Sequence, residues 1–165
     1  SKIANAIYCN ERYIDEDDQY EQSDYIGSGI QNTYYNNYSR IYSSPKYKCQ
    51  QKNDQFTLRV NYGGVEGYGN NALKYPVALL TQDELIYAGN KTNSSTNFLT
   101  DATWYWLMGA NMFSGGRAIV NRIGIGVIGH DDVYLNYSVF PAISLKSDVL
   151  VNDGSGLSDD PYIIE

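Results

Sequence analysis

Histidine is almost missing from this chain, with one residue, His130, among 165. That scarcity removes most nucleophilic and metal chemistry. A Ser-His-Asp triad, or a cysteine nucleophile with its base, would rest wholly on His130. Asp131 and Asp132 adjoin it, and neighbours on a strand point to opposite faces, so the trio is expected in a surface turn. Cysteine is nearly as sparse. Cys9 and Cys49 form no C-x-x-C redox pair, and so little histidine leaves no zinc set. Two buried free thiols or one disulfide would both account for them. The polar, Tyr/Asn/Ser-rich composition favours the bridge, which would restrict the unfolded chain by about 3–4 kcal/mol.

Positive charge is also in deficit. Twelve Lys and Arg stand against 19 Asp and Glu, for a formal charge of -7. No basic cluster is longer than two residues, so there is no face to neutralise phosphates. Nucleic acid and direct contact with an anionic membrane are excluded as expected partners. No apolar stretch approaches the ~18 residues of a membrane-spanning helix, and no secretory leader opens the chain. It begins in mid-pattern on Ser1-Lys2-Ile3, as a piece of a longer protein would. Of the 19 acidic residues, nothing in the sequence singles out a pair for glycoside hydrolysis.

What is abundant is tyrosine, with 17 residues beside only 4 Phe and 2 Trp. Tyrosine suits half-buried pleated surfaces and makes adhesive contacts at low entropic cost. The acid is partly concentrated in Asp15-Glu16-Asp17-Asp18, with Glu21 and Asp24. This reads as a solvated loop. A calcium loop is the sharper alternative, though the alternating spacing of an EF-hand is absent. Sequons at Asn37, Asn90, Asn93 and Asn136 are read as chance in so Asn-rich a chain.

Along the chain, residues 3–9 form a short apolar helix end or first strand, and 10–40 read as polar loop, with a strand near Arg40-Ile41-Tyr42. Residues 55–60 alternate as a strand, 61–71 are turn-rich, and 90–97 form a polar loop. One helix is clear, over 82–88. Thr81 and Glu84 make a capping box, Asp83 and Glu84 sit at the favourable end of the macrodipole, and Gly89 provides the stop. So short a helix must be held by packing. Strands are expected at 103–109, 117–124 and 133–139. A buried run is expected at 140–145, with Pro141 at an edge, followed by "DVLV", a turn at "NDGSG" and a last strand at 161–164.

Gly124-Ile125-Gly126-Val127-Ile128-Gly129 matches the dinucleotide fingerprint G-x-G-x-x-G. The fingerprint works only where a strand feeds a helix whose N-terminus meets the pyrophosphate. No amphipathic helix follows, and no room remains for another strand–helix unit. These glycines are therefore assigned to turns and bulges, and no cofactor is expected.

Four ordered blocks carry a resemblance: "KCQQKNDQFTL", "YPVALLTQDELIYAG", "WYWLMGANMFSGGRAIV" and "VFPAISLKSDVLVNDGSGLSDDPYII". Together they resemble a family of exported, pilin-like surface proteins of Gram-positive gut bacteria, over about 110 of the 165 residues. "IANAIYCN" fits that family's cysteine-containing start, which implies that Cys9 pairs with Cys49. The C-terminal half is similar to the C-type-lectin-like fold, which formylglycine-generating-type enzymes share with the variable proteins of diversity-generating retroelements. The enzyme branch's C-terminal cysteine pair, the several histidines of iron-binding relatives and the EPN, QPD and WND calcium signatures are all missing here. The family's "VRP" is Val139-Phe140-Pro141 in this chain.

The resemblance implies one α+β domain over 1–165, with a mixed, mostly antiparallel sheet and few short helices. It divides into a Tyr-rich, disulfide-closed part (1–60) and a framework (75–165). Trp104, Trp106, Leu79, Leu80, Leu85, Val120, Ile143 and Leu145 are the expected core. The expected function is non-catalytic: an extracellular ligand-binding or adhesion module, attached to the cell surface through an upstream region and diversified by a retroelement. Its ligand would be a protein or glycan on another cell or a host surface. The alternative is a pilin-like structural subunit. The contact face is placed in residues 111–137, with Asn111, Met112, Arg117, Ile119, Asn121, Arg122, His130, Asp131, Asp132, Tyr134, Asn136 and Tyr137 as candidates. Ile125, Val127 and Leu135 are further positions that depart from the family's usual residues.

Overall fold

Three segments rich in branched and aromatic residues pair as neighbours in sequence, and they set the architecture. In the computed structural model, which describes residues 1–10, 33–34, 45–49, 52–59, 61, 69–90, 99, 103–157 and 159–165, they are long strands: β5 (Tyr105–Ser114), β6 (Arg117–Gly124) and β7 (Val127–Asp132). Shorter strands are β1 (Tyr8–Cys9), β2 (Thr33–Tyr34), β3 (Gln55–Phe56), β4 (Ala78–Leu79), β8 (Pro141–Ala142), β9 (Val151–Asp153) and β10 (Ile163–Ile164). One α-helix, α1 (Gln82–Tyr87), is present among the described residues. All named strand pairs are antiparallel: a four-stranded sheet β2-β5-β6-β7 and the two-stranded ladders β1-β3, β4-β8 and β9-β10. The fold is a β-rich α+β arrangement. Among the described residues no helix is long and apolar enough to cross a membrane.

β5 is the centre of the molecule. One edge pairs with β6; the other is covered piecemeal by four segments. The Trp106 N–H donates to the Ser138 carbonyl (3.0 Å), Met108 N–H to Leu80 (2.9 Å) and Ala110 N–H to Asn10 (3.3 Å), while β2 lies against Met112 and Phe113. An edge that would otherwise template aggregation is thereby closed. Strict alternation on β5 turns Tyr105, Leu107 and Asn111 inward. The core is Leu85, Tyr105, Leu107, Ile123 and Ile128, with Leu80, Ile86 and Leu99 packed against it. Burying each large apolar side chain contributes about 1.5–3 kcal/mol. Leu85 is therefore core as expected, and Leu80 is half-buried against it. Trp104, Trp106, Leu79 and Val120 are only half-buried, and Ile143 and Leu145 are exposed. The 140–145 run is thus an outer ladder.

Helix α1 forms as the capping box dictates. The Glu84 N–H donates to Thr81 Oγ1 (3.2 Å), and the Thr81 N–H donates to the Glu84 carboxylate (2.8 Å). Asp83 does more than favour the dipole: it is buried and accepts the Lys46 N–H at 2.7 Å. Tyr47 stacks on Tyr87 with ring centres 4.0 Å apart, and the Tyr87 hydroxyl donates to the Pro45 carbonyl. The helix thereby holds segment 45–49, whose Cys49 is disulfide-bonded to Cys9. Such a bond fits an oxidising compartment.

Two expectations are corrected. His130, Asp131 and Asp132 lie on strand β7, and residues 133–135 form the turn after it, where a strand had been expected. Thr33 and Tyr34, expected in loop, form β2. The acidic run 15–18, Glu21, Asp24, Asn37, the strand expected at 40–42, Asn93 and most of the 90–97 loop lie outside the described residues.

Each glycine of the fingerprint-like motif has its own conformational or steric reason within the hairpin. A Cβ on Gly124 would come within 2.7 Å of the Trp104 ring, and one on Gly129 within 3.0 Å of Arg122 Nη1. Between them, Ile125 (φ 51) and Gly126 (φ 74) close a two-residue hairpin in the left-handed region. Type I′ turns require that conformation and usually take Asn or Gly first.

Candidate functional site

Strand register sorts the candidate residues onto two faces. Paired residues share a face, and Asn121 pairs with His130 while Arg122 pairs with Gly129 and Trp106. Asn111, Asn121 and His130 therefore belong to the helix-facing side, and Arg122 and Asp131 to the other. Asn111 and Asn121 are buried. The Asn111 amide donates to Asn121 Oδ1 (2.7 Å), and the Asn121 amide donates to Gln82 Oε1 (3.3 Å). This amide relay joins sheet to helix, so neither asparagine reaches the outer surface. Asn111 keeps the inward phase of Tyr105 and Leu107, and the register with β6 shifts just beside it, between Ala110 and Met112.

On the opposite face Arg122 organises a cluster. Its guanidinium carbon lies 3.8 Å from the Trp104 ring centre and 5.8 Å from that of Tyr137. Its Nε–H donates to Asp131 Oδ2, and the Tyr137 hydroxyl donates to the same oxygen at 2.8 Å. Trp106 meets Tyr137 edge to face, with centres 4.7 Å apart. Gly129 lies beneath the guanidinium and leaves it room. The chain reaches this arrangement by leaving β7 and turning at 133–135. It then crosses to the far edge of β5, where Ser138 bonds Trp104 and Trp106. Tyr137 lies on that crossing. Trp104 and Trp106 are expected in the core from their apolar character alone. Their role as the aromatic floor of this face depends on strand phase.

The electrostatics follow the geometry. Partial burial pulls the Asp131 carboxyl upward, but the bonds from Arg122 and Tyr137 and the Arg122 charge outweigh it, leaving the pKa below its ordinary 3.8. The bond to Asp131 raises the Tyr137 phenol, keeping it a donor. Desolvation lowers His130, opposed by Asp131 and assisted by Arg122. Within the pair, Arg122 is 18 % exposed and Asp131 31 %, so the attraction is less screened than at an open surface.

The remaining candidates lie outside the cluster, and Ile119 and Asp132 share the helix-facing side with Asn121. Arg117 pairs with Asp132 at 2.8 Å but is largely solvated, so this bridge contributes little. Met112 and Ile119 are half-buried partners across β5 and β6. Tyr134 and Asn136 are exposed on the turn and crossing, Tyr134 at 67 %, beside exposed Val133 and Leu135. Among the described residues no three His, Cys, Asp or Glu side chains converge as a metal site. The arrangement offers flat aromatic surface, a fixed cation, a phenol donor and a free tyrosine ring. Comparison of the chain with known protein families, with curated proteins and with solved structures finds no match.

Proposed function

We propose that this chain is a non-catalytic recognition module of an extracellular bacterial surface protein, built on a C-type-lectin-like fold and bearing its contact face on residues 104–137. The observation that carries the reading is the Trp104–Arg122–Asp131–Tyr137 cluster on the helix-free face of the sheet, with exposed Tyr134 on the turn that leads to Tyr137. Tyr, Trp and Arg are the residues that anchor contacts, because they offer large area for few rotatable bonds. Here the guanidinium is already fixed between rings and bonded to a carboxylate, so little ordering cost remains for a ligand to meet. The ligand is a protein or glycan on another cell or a host surface. Variation in a diversified family would fall on this face, around Arg122 and Asp131.

A glycan and protein array probed with the oxidised domain tests the reading. Tyr134→Ser removes an exposed ring and should leave stability within about 0.5 kcal/mol while weakening any array hit by about tenfold or more. An array without hits, or hits indifferent to Tyr134→Ser and to Arg122→Met alike, would defeat it.

A further inference from the structure

The tip of the β6–β7 hairpin is built against its own stability. Ile125 holds φ 51 and is 69 % exposed. A β-branched residue in the left-handed region is an outlier, and the third of its surface that Ile125 buries only partly offsets the strain. Asn71, the other non-glycine residue with positive φ among the described residues, is of a type that tolerates it. Gly124 and Gly126 flank Ile125, so the tip is narrow and carries one apolar knob.

Across β5 from that hairpin lies an apolar groove of about 540 Å³, lined by Phe56, Leu73, Val77, Leu79, Leu107 and Pro141 among others. None of its described lining residues is charged, and residues 124–129 of the hairpin carry no charge either. On a chain of net charge -7, these are two places where identical copies can meet without opposing like charges. The hairpin is closed by the Gly124–Val127 pair and two residues, too tight a turn to fold back across β5 into its own groove.

We infer that copies of this chain associate head to tail, the Ile125 tip of one copy seating in the Phe56–Leu79–Leu107 groove of the next. Knob and groove are different surfaces, so the contact is heterologous and propagates into an open series or a closed ring.

Sedimentation velocity on the oxidised domain, up to millimolar chain concentration, tests this. The weight-average mass should climb past two copies, and added salt should strengthen the association by screening the net charge. Ile125→Asn removes the knob and Val77→Asp charges the groove rim. Each alone should weaken association by about 10–100-fold, the value of one buried apolar side chain. Mixed together, they leave one intact knob and one intact groove, and should form a one-to-one dimer that grows no further. Ile125→Asn keeps the turn geometry, so its loss of association cannot come from unfolding. A parent domain that stays monomeric or stops at a dimer would overturn the inference. So would association untouched by Ile125→Asn, or a mixture that does not pair.

Discussion

Replacing Ile125 with Asn should stabilise this protein, although Ile125 makes little contact that Asn could improve. The left-handed conformation costs an L-residue about 1–2 kcal/mol, and β-branching aggravates it. Asn is at home in the first position of a type I′ turn. The opposing term is the area Ile125 does bury, about a third of its surface, which on the usual scale is worth ~0.5–1 kcal/mol. The balance is a gain of about 0.5–1 kcal/mol. At this chain length each kcal/mol moves the midpoint by roughly 2–4 °C, so Tm should rise by about 1–4 °C. Thermal unfolding followed by circular dichroism, with the disulfide intact and dilute protein, measures it. Ile125→Val supplies the control, since it keeps the branch and the strain and should gain nothing. If the Asn and Val variants melt together, or Asn melts lower than the parent, the strain argument is wrong, and with it the premise that the tip is built against stability.

Three other outcomes are expected. Gly124→Ala drives a Cβ to 2.7 Å from the Trp104 ring and should cost about 1–3 kcal/mol in urea unfolding, as overpacking does. Replacing Cys9 and Cys49 together by Ser opens a loop with a sequence separation of 40, and the loss should be about 4 kcal/mol on the chain-entropy account. On lowering the pH, His130, held below its usual 6.5, withdraws stability first, from about that value downward. Asp131 follows below about 3.8, since its depressed pKa stabilises the fold above the unfolded value and is lost as the carboxyl protonates. Asp131→Asn should flatten the second step, read as midpoint against pH.

The capping box and β6 were legible because their signals are local. Thr81 and Glu84 announce the helix start three residues apart, and Arg117–Gly124 carries the branched Ile119, Val120 and Ile123. The phase of β5 was not. Trp104, Tyr105, Trp106 and Leu107 are apolar at both parities, so alternation says nothing about which pair points inward. Only pairing with Arg122 and Ile123 decides it. His130, Asp131 and Asp132 look like a turn because a polar strand is unexpected. They tolerate the sheet since Arg117 and Arg122 on the neighbouring strand meet two of them, a match that exists only in register. The apolar run 140–145 misled for a related reason. Without a period a short run cannot report its facing, and Phe140, Ile143 and Leu145 ended outside.

One hairpin thus bears two tasks that local sequence would have kept apart. Its register sets Arg122 over Gly129 for the cluster, and its tip carries Ile125 outward. No residue of the cluster belongs to the turn or lines the groove among the described residues. Head-to-tail association and ligand contact on the proposed reading draw on disjoint sets of side chains. An array of copies would then repeat the Trp104–Arg122 face along its length. Linked weak sites gain from effective concentration without any new contact, provided the spacing lets two engage at once. A shallow, half-buried aromatic face of modest affinity is the kind of surface for which that gain matters most.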